Sequence, residues 1–124
     1  MERAEQSLLD AINVAREEYH LRPLVRDRRL DRAAHAHSDD MIRRRYFGHT
    51  TTLAKLPGNV VGENLAWCSG NVRPNVIVAA WLRSPEHREN LLRPGFRRIG
   101  IGVAIGPLGG SAKSRVVTVD FSGS

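Results

Sequence analysis

The sequence predicts an α+β fold in which an antiparallel sheet is covered by helices. Apolar residues recur at helical spacing through the first third of the chain, and strict alternation appears only in the last third, where Ile99, Ile101, Val103 and Ile105 interleave with Gly100, Gly102 and Ala104. Helices therefore come first and strands come later, mixed with helices, an order that favours a helix-covered antiparallel sheet over a parallel βαβ array.

The elements follow in order. Leu8, Ile12, Ala15 and Tyr19 mark a first helix over about residues 4–20, ended by Arg22-Pro23 because proline disfavours helical geometry in the residue before it. A second stripe, Leu30, Ala33, Ala34, His37 and Met41, predicts a second helix with Asp27 as its start signal and Gly48 as its break. Residues 49–62 are turn-rich around Pro57-Gly58-Asn59, with one helical turn expected near Thr52 to Leu56. Gly62 to Cys68 reads as a strand with Glu63, Leu65 and Trp67 on one face.

Pro74 to Leu82 is a short apolar helix. Ser84-Pro85 opens another that ends near Leu92, with the Ser84 hydroxyl expected to cap it and Pro85 at its first position. The small residues at 100, 102 and 104 let a second layer approach the sheet closely, so both faces can be covered. A Gly-rich turn over Gly106 to Ser114 is expected to lead into a final strand in which Val117, Val119 and Phe121 alternate with Val116, Thr118 and Asp120.

A chain of 124 residues without internal repeat or linker reads as one domain, 1–124. Its single cysteine, Cys68, can form no intrachain disulfide and no multi-thiolate zinc site. No apolar run approaches the roughly 20 residues needed to cross a bilayer, and the charged, amphipathic start MERAEQSLLDAINVAR is unlike a signal peptide. The formal charge of +6 comes from 19 basic residues, 17 of them Arg, against 13 acidic ones. A positive exterior suits anionic polymer or lipid, but Asp27, Asp31, Asp39 and Asp40 lie among or beside the first Arg clusters, and only 6% of residues are aromatic. Nucleic acid is thereby disfavoured as a partner.

Of five histidines, His35 and His37 lie two apart on a helix, rotated by about 200°, and cannot easily grip one metal together. His37 belongs to the buried stripe, and His20 is a helix C-terminal cation. His49, at a helix exit, and His87, in the first turn after Ser84, are different, as is Glu63, an acid on an apolar strand face where burial is costly without a partner. Two histidines and a carboxylate from three segments form a candidate divalent-metal constellation. A helix N-terminus favours neutral His87, whereas Glu86 and Glu89 push the other way, so the sequence leaves the balance open.

Five short motifs in order carry a resemblance: HSDDM at 37–41, YFGHT at 46–50, GENLA at 62–66, AWLRSPEHRENLL at 80–92 and FRRIGIG at 96–102. Together they resemble the CAP superfamily of cysteine-rich secretory, antigen 5 and pathogenesis-related 1 proteins, in particular its bacterial SCP or YkwD-like branch. The resemblance implies a three-layer α-β-α sandwich and a cleft lined by His49, Glu63 and His87 that holds zinc or another divalent cation in some members. Eukaryotic members usually have a further glutamate where this chain has Ser84, and Glu86 stands where the bacterial pattern often has glycine, so both are candidate cleft contributors. The interval between His49 and Glu63 looks shorter than is usual, which implies a more open cleft.

The expectation is thus an extracytoplasmic or secreted domain, present here without its export signal, whose cleft binds a divalent metal and a small-molecule, lipid or envelope ligand without catalysis. The alternative is a metal-assisted or acid/base hydrolase of peptide or cell-wall material, with His87 or Glu63 as general base. Zinc affinity is expected to weaken as pH falls through about 6.5. Ser84 is not expected to be a nucleophile while it caps a helix, and Cys68 lies on the strand face opposite Glu63.

Overall fold

The computed structural model describes residues 2–123. Its elements are α1 (Glu2–Glu18), β1 (Val25–Arg26), α2 (Arg28–Arg44), a 3-10 turn (Leu53–Lys55), β2 (Val60–Ser69), α3 (Pro74–Leu82), α4 (Pro85–Leu91), β3 (Phe96–Leu108) and β4 (Ser111–Gly123). The strands lie in the order β1-β3-β4-β2, with β3, β4 and β2 antiparallel. β1, too short to show as periodicity, adds in parallel to β3.

Helices cover both faces, making an α-β-α sandwich. On one face the α1 stripe Leu8, Ile12 and Ala15 packs with Ile77, Trp81 and Leu91 against Ile99, Ile101, Val117, Val119 and Phe121. On the other face α2 supplies Met41 against Leu65, Ala104, Leu108 and Val116. The small face of β3 explains how α2 fits. A Cβ at Gly102 would stand 2.3 Å from the Ala34 carbonyl carbon and the His35 nitrogen, so the helix backbone rests on the glycine. Polar bonds fix that contact: Ser38 Oγ donates to Gly102 O and lies 2.8 Å from Thr118 Oγ1, and Asp31 Oδ1 accepts from Ile101 N.

Boundaries depart from expectation in three places. Helix α1 stops at Glu18, leaving Tyr19 exposed and His20 at φ 60°, past the helix end. Helix α2 begins as expected, Asp27 Oδ1 accepting from Arg29 N and Leu30 N, but stops before Gly48, because Arg45 adopts φ 56° and Tyr46 N returns to Met41 O. The last turn is not the long Gly106–Ser114 loop. Both strands run on to Gly109-Gly110, whose φ values of 58° and 87° suit the two-residue hairpin connection that glycines favour. Ile105, near that end, is exposed.

Arg16 ties the helical layer together. It is fully buried and donates from Nε to Arg22 O and from Nη1 to Leu91 O and Arg93 O, satisfying carbonyls at the end of α4. Strand β2 is a sheet edge. Its outward carbonyls at Glu63 and Leu65 accept from Asn90 Nδ2 and Trp81 Nε1, which seats α3 and α4 beside it.

Candidate functional site

The cleft straddles the β2 edge, with one histidine supplied from each side. His49 comes from the segment that leaves α2, and His37 holds that segment in place through Nε2 at 2.7 Å from Gly48 O. His87 lies in the first turn of α4, stacked on Trp81 with ring planes 11° apart, while Asn64 Nδ2 donates to its carbonyl. The two rings line one cavity of about 660 Å³ together with Phe47, Trp67, Trp81 and Ser84. Phe47 and Trp67, more than 40% exposed, face each other at 5.6 Å and give the cleft an aromatic lip.

Glu63 lies behind His49. Its side chain is buried, and Oε1 accepts from His49 Nδ1 and from Thr50 N, both at 2.9 Å. A carboxylate oxygen only accepts, so His49 Nδ1 is the donor, and in the neutral ring Nε2 is the nitrogen left to ligate.

Ser84 corrects the sequence reading. It precedes α4 in extended conformation, as a cap residue should, but its hydroxyl makes no capping bond. Instead Oγ lies 2.7 Å from His87 Nδ1, so the side chain expected to serve the helix serves the histidine. Burial and the neighbouring His49 hold the His87 pKa below the ordinary histidine value, outweighing the upward pull of Glu86. The balance left open by the sequence thus resolves toward neutral imidazole. Glu86 itself is exposed and does not line the cavity. Cys68 is half-buried, with Sγ toward Arg115 O, and burial pushes its thiol pKa up, so thiolate chemistry is disfavoured.

Sequence reasoning passed over Asp120. It pairs directly with Glu63 across the β2–β4 ladder and is 1% exposed. Burial, a hydrogen bond to Glu63 and that carboxylate's charge push its pKa up to about 9, so it stands as a carboxylic acid beside an anion. Glu63 Oε2 and Asp120 Oδ1 are both buried without a protein hydrogen-bond partner among the described residues. The signal was present: Asp120 is a lone acid within the apolar alternation of the last strand.

Among the described residues no three His, Cys, Asp or Glu side chains converge as a metal cluster. Glu63 is turned to His49 and Thr50, which leaves two imidazoles facing one cavity and a carboxylate orienting one of them.

Residues 9–121 match the model of the cysteine-rich secretory protein family, CAP. The chain belongs to the CAP family. The uncharacterised protein YkwD of Bacillus subtilis is 33% identical over 108 residues, covering 79% of this chain and 41% of YkwD. A solved extracellular protein containing an SCP domain, from Bacillus anthracis, superposes with a TM-score of 0.77 at 26% identity over 99% of this CAP domain and 41% of its own chain. An outer surface protein from Borrelia burgdorferi shares the fold with a TM-score of 0.78 at 24% identity, covering 98% of this chain and 94% of its own. The CAP domain thus spans about two fifths of YkwD and of the Bacillus anthracis chain. No helix of the described residues is long and apolar enough to cross a membrane.

Proposed function

We propose that this CAP domain is an extracytoplasmic binding module whose cleft takes a divalent transition metal through His49 and His87, with water or a bound ligand completing the coordination. One observation carries the reading: both rings line one cavity, and each has Nδ1 engaged within the protein, by Glu63 or by Ser84. When His87 Nδ1 donates to Ser84 Oγ, Nε2 of both rings is free to ligate, the arrangement by which outer partners select the metal-binding tautomer. Such a metal would supply Lewis-acid charge to a ligand donor atom. Glu63, expected as a ligand, positions His49 in this reading.

The aromatic lip suits a ligand with an apolar part, and the Arg-rich exterior suits an anionic envelope polymer or lipid surface. The extracytoplasmic assignment draws on the family and on the extracellular relative. Calorimetric titration with zinc at pH 7.5 tests the reading: a parent isotherm that persists unchanged in a His49→Ala/His87→Ala variant would overturn it.

A second reading, a hydrolase of peptide or cell-wall material with His87 as general base, draws support from the environment that keeps His87 neutral beside the Ser84 hydroxyl. Turnover of casein or peptidoglycan fragments that is lost in His87→Gln would favour it over binding alone.

A further inference from the structure

A second cavity, of about 590 Å³, opens on the α2 side and shares His49 with the cleft. This is within the size range of small-molecule sites. Its lining is of another kind. Asp120 and His37, 1% and 7% exposed, contribute buried polar groups; the consecutive hydroxyls of Thr50, Thr51 and Thr52 form one wall; and Ala33 and Ala36, one turn apart on α2, form a low opposite wall. Asp120 Oδ1 has no protein hydrogen-bond donor among the described residues. Within the same lining Tyr46 donates its hydroxyl to Asp40, which also pairs with Arg43 and Arg44. Two guanidiniums against one carboxylate leave a net positive charge there.

We propose that this chamber binds an acidic sugar: a hydroxyl-rich ring whose hydroxyls meet Asp120 and the threonine wall while its carboxylate meets Arg43 and Arg44. Hydroxyls donate and accept, as do threonine hydroxyls, which makes them better complements to this lining than hydrocarbon. Guanidinium forks match carboxylates in geometry as well as charge. An acyl chain finds little here, since among the side chains of the wall and floor only Leu56 is a large aliphatic one. The chamber shares His49 with the metal reading but not His87, which lies outside its lining.

Two-dimensional ¹⁵N NMR titration with tetragalacturonic acid tests the proposal, with maltotetraose as the neutral control and inorganic phosphate as the bare anion. Tetragalacturonate is expected to shift the amides of Tyr46, Thr50 to Thr52 and Asp120, and maltotetraose to bind the same site more weakly. Thr51→Val/Thr52→Val, at exposed positions that leave the fold intact, is expected to weaken binding about tenfold, or about 1.4 kcal/mol. Asp120→Asn should bind within about threefold of the parent because an amide still donates and accepts. His87→Ala is expected to lose zinc binding while tetragalacturonate still shifts Thr50 to Thr52, so failure of the metal site and failure of the sugar site are told apart. The proposal is overturned if tetragalacturonate leaves Thr50 to Thr52 unshifted, if the threonine variant binds as well as the parent, if phosphate alone reproduces every shift, or if the shifts map to Trp67, Ala80 and His87.

Discussion

His49 Nδ1 lies 2.9 Å from Glu63 Oε1, and the same oxygen accepts the Thr50 backbone N–H. One buried carboxylate therefore fixes both the ring of His49 and the chain just after it. Because β2 holds Glu63 and the α2 exit holds His49, the bond also joins the sheet edge to the helical layer that packs on it.

Glu63→Gln keeps an acceptor oxygen but removes the charge that supports the Nδ1–H tautomer. Zinc affinity is expected to fall by about tenfold or more, the usual cost of losing an outer-shell carboxylate. Calorimetry of parent and variant at one pH measures it; equal affinities would remove Glu63 from the site.

Ser84→Ala separates capping from positioning. A serine that caps a helix costs about 1 kcal/mol on truncation, but this hydroxyl makes no such bond. The urea midpoint is expected to move little while zinc affinity falls. A loss of stability with unchanged zinc binding would restore the capping role.

Asp120 gives stability a defined pH dependence. Its folded pKa is raised to about 9, above the value near 3.9 of an unfolded aspartate, so the folded state holds a proton that the unfolded state has released. This group's contribution is full below about pH 4 and is lost as pH rises toward 9, at up to about 1.4 kcal/mol per unit. Asp120→Asn should flatten that slope between pH 5 and 9 in urea denaturation. A variant as pH-sensitive as the parent would show that the proton resides elsewhere.

Gly102→Ala tests the close approach of α2 to β3. The added methyl would meet helix backbone at 2.3 Å, so relief requires the helix to move. Overpacking of this kind costs about 1 to 3 kcal/mol. Thermal or urea denaturation should show the loss, and a silent substitution would mean that the helix yields freely.

Much of this architecture is legible in periodicity. The interleaved Ile and small residues of β3 announce a sheet covered on both faces, and Asp27 marks a helix start that the structure reproduces. Less legible are features that depend on contacts between distant segments. Nothing near Arg45 announces a left-handed residue, and β1 exists only because β3 lies beside it. The same division holds at the site. His49 and His87 are marked by family motifs, and the structure brings them to one cavity. The role of Ser84 is hidden from sequence because its local capping geometry is present while its hydroxyl follows a side chain one turn on. Asp120 escapes notice because its importance comes from strand register, which sets it opposite Glu63.

Asn90 and Trp81 do more than seat two helices beside β2. By occupying the outward carbonyls of Glu63 and Leu65, they deny a foreign strand two of the acceptors it would need to dock there. On the opposite border β1 covers only Arg98 and Ile99 of β3, and beyond it Asp31 Oδ1 takes the Ile101 N–H. A domain without disulfides thus guards its sheet edges with side-chain partners and one very short strand.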